Sequence, residues 1–319
     1  MTLTTFILRR MLALLVLLLV VSALVFIGTE LLPGDVAQVA LGPFASPENV
    51  AALRRELGLD QPALLRYLDW LRGVVLAGDW GISITSRQPV TAMLAERARN
   101  TAILAGATTV IAIPLAMTLG IVMAIFHGRR LDRVLSVAVL TLSATPEFLV
   151  GALAVLLLSL HWELLPSVSY LSPGASLAAN IKALVMPVGV LVLVVTAQIA
   201  RMTRATLVNI LSYPFIEMAL LKGVPVRRVV VLHAVPNAIG PIVNIVALNV
   251  AYLVSGIVVV ETVFSYPGIA RLMIDAVQSR DFPVIQACAL IFCASYVLLI
   301  LLADVIAHIA DPRAGSARH

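Results

Sequence analysis

The stretch RRMLALLVLLLVVSALVFIGTEL, residues 9–31, opens with Arg9 and Arg10 and then carries no charge until Glu30. A helix needs about 20 apolar residues to cross a hydrocarbon layer of about 30 Å, so the run is long enough to span. It is longer than the apolar core of a secretory signal, and no clear small-x-small cleavage site follows, so it reads as a retained anchor.

The rest of the chain repeats this pattern. Of 319 residues, 61% are hydrophobic and 12% charged, and the mean hydropathy is +1.04. A soluble domain is about half apolar and about a quarter charged. Five more apolar segments stand out, at 101–126, 134–160, 184–204, 241–263 and 284–308. They are continuous, whereas barrel strands alternate in and out, so the fold class is an all-α integral membrane protein with six transmembrane helices. The net charge of +5 comes from arginines that flank apolar runs, a topology signal and not a nucleic-acid face. Cys288 and Cys293 sit inside the last apolar segment on different helix faces and read as packing residues without a disulfide. The histidines at 127, 161, 233, 308 and 319 are scattered and give no metal-ligand spacing. No GxxxxGK[ST] loop, nucleophile elbow or zinc motif occurs, so the chain is read as non-catalytic and without a cofactor of its own.

Charge sets the orientation. Arg9 and Arg10, Arg129, Arg130 and Arg133, then Arg201, Arg204, Lys222, Arg227 and Arg228, and Arg313 and Arg318 share one side. The short loops opposite hold Lys182, Arg271 and Arg280. By the positive-inside rule both termini are cytoplasmic and the long segment 32–100 faces outward. The expected organisation is a first anchor over 1–31, an outer segment over 32–100, spans two to four over 101–204, a cytoplasmic loop over 205–240, two spans over 241–308 and a tail over 309–319. In the outer segment, SPENVAALRRELGL offers Ser46 as N-cap, Pro47 at the first helical position and Gly58 as a stop. QPALLRYLDWLRGVV predicts a second, amphipathic helix, and AGDWGISITSRQPV is rich in turn residues.

Polar residues within or bordering the spans are few: Glu147, Gln198, Asn244, Asn249, Glu261 and Asp304. Such groups face a cavity or a partner. Glu147 follows Pro146, which loosens the helix, and both readings stay open for it: a cavity wall on the substrate path, or a pair across helices. With Gln198 and Asn249, Pro146 and Glu147 form the candidate translocation path. Asp304 is read as an anchor near the cytoplasmic end of the last span.

The cytoplasmic loop holds EMALLKGVPVRRVVVLHAVPN, residues 217–237. SYPFIEMALLKGVP predicts a compact helix with Pro214 first, Gly223 as the left-handed stop and Pro225 beyond. Pro214 to Lys222 span about 13 Å at 1.5 Å per residue. The helix is too apolar to be left in water, so it either lies back on the membrane domain or fills another protein's groove. Arg227 and Arg228 suit a partner's carboxylates or lipid phosphates.

The spacing Glu217-x-Ala219-x-x-x-Gly223, nine residues, then His233-x-Val235-Pro236 resembles the EAA motif of membrane subunits of binding-protein-dependent ABC importers. Met218, His233 and Val235 depart from its usual residues. FILRRMLALLVLLLVVSALVFIGTELLPGD, GDWGISITSRQPVTAMLAERARNT, VVETVFSYPGIARLMIDAVQSRDFPVIQA and LADVIAHIADPR resemble the dipeptide/oligopeptide/nickel permease family. Within it they are similar to the first permease subunit, which has a long periplasmic loop after the first span. The resemblance implies a type I ABC importer permease in the bacterial inner membrane. It implies a second homologous permease, one or two ATPase subunits that bind ATP and Mg, and an extracytoplasmic substrate-binding protein, with lipid around the spans and no nucleic acid. Residues 213–226 would be the coupling helix, with Glu217, Ala219, Leu220, Lys222, Gly223, Arg227 and Arg228 at the ATPase. The outer helices in 47–75 and the loop 265–283 would receive the binding protein. Peptides are the expected substrate, with nickel chelates, glutathione or opine-like solutes as alternatives; a self-contained channel or secondary transporter is the remote one.

Overall fold

A computed structural model describes residues 3–31, 36–42, 44–56, 58–170, 174 and 176–310. The tail arginines Arg313 and Arg318 lie outside the described residues. The chain is all-helical, and among the described residues the only bridge of strand type is an isolated one, Ile82 to Pro89. In chain order the helices are α1 (Leu3–Glu30), α2 (Val36–Leu41), α3 (Pro47–Glu56), α4 (Ala63–Arg72), α5 (Val90–Ile125), α6 (Arg130–Ala144) and α7 (Glu147–Ala154). There follow α8 (Leu177–Leu211), α9 (Pro214–Leu221), α10 (Val226–Val229), α11 (Val235–Val263), α12 (Ile269–Ser279) and α13 (Phe282–Ala310). Wide turns of π type extend α4 over Gly73–Ala77, extend α7 over Val155–His161, and join α10 to α11 over Val230–Ala234.

Among the described residues, five helical segments are long and apolar enough to cross a membrane. The sixth crossing predicted from sequence is the pair α6–α7, bent by 99°. Pro146 explains the break, because its ring pushes the preceding residue out of the helical region. Thr145 accordingly sits at φ −81°, ψ 129°, and α7 restarts behind Pro146. Helix ends differ from the apolar segments in a physically simple way. α5 begins at Val90 and α8 reaches Leu211, since polar turns extend a helix into water without changing its backbone bonding.

The chain divides into two compact units, Met1–Thr101 with Pro267–Ser295, and Ala102–Tyr266 with Tyr296–His319. In the first, Val90, Leu94, Ile269, Leu272, Val284 and Cys288 form the buried core. Ser46 caps α3 as expected, accepting from Asn49 N at 3.3 Å. Asp281 is buried and ties the turn-rich stretch to the C-terminal part of the unit: Ser83 Oγ, Ile84 N and Thr85 N all donate to its carboxylate. Cys288 is buried and Cys293 half-buried, and neither is joined in a disulfide.

In the second unit α8 is central and mostly buried. It packs along α11 and against α6 and α7. α5 approaches it so closely that a Cβ on Gly120 would come within 2.8 Å of the Thr203 side chain, the close contact that small residues permit between membrane helices.

Candidate functional site

Two features of the second unit collect the residues singled out from sequence. The first is α9. α8 stops at Leu211, Tyr213 is extended at φ −80°, ψ 145°, and Pro214 opens the short helix. Gly223 has φ +78°, a backbone that a side chain would strain, and its N–H reaches Leu220 O at 2.9 Å while Val224 N reaches Ala219 O at 3.2 Å. The expected helix and stop are therefore present.

One residue roots this helix. Ile216 is fully buried in a cluster with Ala124, Leu207, Ile210 and Val229, and Ala219 packs against the same cluster. The opposite side is open: Phe215, Met218, Leu220 and Leu221 are exposed, Leu221 to 76%. Glu217, Lys222, Arg227 and Arg228 are exposed around them. One apolar residue of the helix is thus turned in and four are turned out.

Within the span 205–240, the residues between the two long helices are 212–225. From Val226 onward the chain is helical through Val263, and Arg227 and Arg228 lie in the first turn of that helix. Pro236 has no N–H to donate, and the wide turn over Val230–Ala234 lies just before it. The His233 ring is exposed, and its carbonyl accepts from Asn237 Nδ2 at 2.7 Å.

The second feature is a cavity of about 120 Å³ between α7, α8 and α11. Leu191, Val194, Val195 and Gln198 line one wall, and Asn249, Tyr252, Leu253 and Gly256 another. Each set follows i, i+3, i+4, i+7 spacing, one stripe of a helix. Gln198 is a half-exposed position on a stretch of α8 whose neighbours are mostly buried. Asn249 is buried and donates Nδ2 to Ile245 O at 2.8 Å.

The break at Pro146 places Glu147 in the first turn of α7 and its carboxylate over Gly256. A Cβ at position 256 would lie 2.8 Å from Glu147 Oε2 and 3.0 Å from Oε1. Glu147, Gln198 and Asn249 therefore share one cavity; Pro146 shapes it from behind without lining it. Among the described residues Glu147 lines this cavity and has no ion pair within it. Asn244 is exposed and Glu261 fully buried, both away from this cavity.

Sequence reading missed a third cluster at the α9 end of the unit. Asp132 is buried, and Arg204 grips it with two bonds, Nε to Oδ1 at 2.6 Å and Nη2 to Oδ2 at 2.8 Å. Gly128 N donates to Oδ2 at 3.0 Å and Ser136 Oγ to Oδ1 at 3.2 Å, with His127 Nδ1 3.3 Å away. Spacing gives no sign of this pair, whose members lie 72 residues apart; the one available signal is an acid in an otherwise basic connection, 127–133.

The family described as binding-protein-dependent transport system inner membrane component matches residues 116–316, and its N-terminal companion matches residues 3–105. A glutathione transport system permease protein of Salmonella choleraesuis is 35% identical over 313 residues, covering 96% of this chain and 97% of the relative. The corresponding protein of Escherichia coli K12 is 34% identical with the same coverage. A probable peptide ABC transporter permease protein of Sinorhizobium fredii is 32% identical over 308 residues, covering 97% and 98%.

Proposed function

The chain belongs to the binding-protein-dependent transport system inner membrane components, as a type I ABC importer permease of the peptide/nickel family, and on that premise we propose that it forms half of a translocation pathway for short peptides. A second, homologous permease supplies the other half. Partner ATPase subunits bind ATP and Mg and hydrolyse it; this chain converts their closure into a change of access. A substrate-binding protein on the opposite side delivers the cargo, with both termini of the permease and α9 on the cytoplasmic side. Glutathione is itself a small peptide-like solute and stands as the alternative cargo, supported by the relatives that carry that name.

The observation that carries the reading is the two-sided character of α9. Ile216 fixes it to the unit, while Phe215, Met218 and Leu221 present an apolar face in water. Left bare, such a face is unfavourable; in a partner's groove it supplies the anchors of an interface. Force applied at that face is passed through Ile216 to the ends of α5, α8 and the helix that begins at Val226. Glu217 then meets basic ATPase residues, and Gly223 permits the close return of the chain. The cavity of Glu147, Gln198 and Asn249 is the proposed polar part of the path.

The test is co-purification of the ATPase subunits together with uptake of labelled di- and tripeptides and of glutathione. Leu221→Asp and Glu217→Arg should leave membrane insertion intact, weaken ATPase association by about thirtyfold and lower uptake in proportion, the effect of losing about 2 kcal/mol at an anchor. Wild-type association and uptake in both variants would remove α9 from the coupling role.

A further inference from the structure

We propose that α4 and the wide turn behind it are seated in the lipid of the leaflet at the Glu30 end of α1, and do not stand free in solution. α1 provides a ruler of depth, because it crosses the membrane from the Arg9–Arg10 end to Glu30. α4 grips it at three levels. Arg66 pairs with Glu30, Tyr67 packs edge-on against Phe26 at 5.3 Å, and Tyr67 Oη bonds Ser22 Oγ at 2.8 Å. Ser22 lies about 12 Å below Glu30 at 1.5 Å per residue. Half the hydrocarbon thickness is only about 15 Å, so Tyr67 is held within the layer.

The same contacts fix the rotation of α4. Successive side chains turn by about 100°. Arg66 reaches up to Glu30 and Tyr67 reaches down to Ser22, so the direction from residue 66 to residue 67 around the helix is the direction of depth. Leu64 and Leu68 continue that turn beyond Tyr67, while Asp69 falls on the Arg66 side; Arg72, four residues after Leu68, borders the Leu68 edge, and Leu65 is 51% exposed beside Asp69. Leu64 is 68% exposed and Leu68 49%, and Val75 and Leu76 in the following turn are 69% and 74% exposed. α1, the span that α4 grips, also keeps apolar residues bare at this depth, Leu24 and Ile27 among them. Attachment along an apolar span, at a depth below Glu30, commits the flank to acyl chains as its occupant. Aromatic Tyr67 and Trp70, whose rings lie 6.2 Å apart, with Asp69 on the far flank and Arg72 at the edge, match a helix lying in the interface plane. The binding protein is then left with α3 and α12 as the water-facing outer helices.

The test uses the assembled importer in liposomes, with Cys288 and Cys293 replaced by alanine and a nitroxide placed in turn at Leu64→Cys, Leu68→Cys and Asp69→Cys. Oxygen, which partitions into lipid, should relax the labels at 64 and 68 several-fold more than a water-soluble nickel chelate does. The order should reverse at 69. Chelate access at 64 and 68 equal to that at 69 overturns the proposal, as does protection from both reagents, which would mean that protein covers the flank. Should labelling disturb assembly, Trp70 fluorescence serves in a chain with Trp80 and Trp162 replaced by phenylalanine. Quenching by brominated lipid above that by aqueous iodide supports lipid seating, and its absence overturns it.

Discussion

Asp132 and Arg204 show what a single pair contributes inside this fold. Two charges in a low-dielectric place persist when geometry is good and the remaining lone pairs are bonded, and Gly128 and Ser136 complete that shell. Removing one partner leaves the other buried and unpaired. We expect Asp132→Asn to lower stability by up to about 3 kcal/mol, less to the extent that water reaches the partly exposed Arg204. Arg204→Met in the same chain should recover part of the loss. Thermal unfolding of the purified permease in detergent checks both, and a fully additive double variant would mean that the pair is not coupled. The pair was invisible to spacing arguments because its members come from different helices and meet only through packing. Glu147, Gln198 and Asn249 were legible one at a time, since an isolated polar group in an apolar run is costly wherever it points. That they share a cavity was not, because it depends on the angle taken by α7.

Helix existence was largely readable, since apolar runs of membrane length leave the backbone no other choice. Ser46, Pro214 and Gly223 also marked their helix ends, each through a local backbone reason that needs no tertiary context. The bend at Pro146 was readable as a weakness, but its 99° angle was not, because proline sets the break and packing against α8 and α11 sets the direction. The helical state of 226–240 was obscured by Pro225 and Pro236; one starts the helix and a wide turn accommodates the other. α9 gives a contrast at this scale. Ile216→Asp places a charge in a fully buried site and should free the helix from its cluster, forfeiting about 2 kcal/mol of burial as well as the cost of the charge. Met218→Asp, on the open face, should leave folding unchanged. Protease sensitivity of the 212–225 connection separates them: faster cutting for Ile216→Asp alone is the expected result, and equal rates for the two variants would deny Ile216 its rooting role.

At the scale of the whole molecule, the positive-inside count and the apolar segments make a topology that labelling can read. A cysteine at Asp60 should react with a membrane-impermeant maleimide added from outside intact cells, and one at Lys222 only after permeabilisation; the reverse pattern would invert the orientation. The division of the chain agrees with the comparison. The first unit's leading segment ends at Thr101, and the N-terminal family match ends at residue 105. The boundary is not announced by a break in secondary structure, because α5 runs through it as one helix, Asn100 and Gly106 included.

Gly256 has a genetic consequence. Its missing methyl group and the Glu147 carboxylate occupy one space, 2.8 Å apart if both are present. The group that must yield is the end of a flexible side chain, so Gly256→Ala should fold but swing the carboxylate out of the cavity and depress peptide uptake. A shorter acid relieves the conflict. Selection for regained growth on peptides should therefore return Glu147→Asp as a second-site suppressor, and the two positions should drift together, not singly, as the lineage diverges.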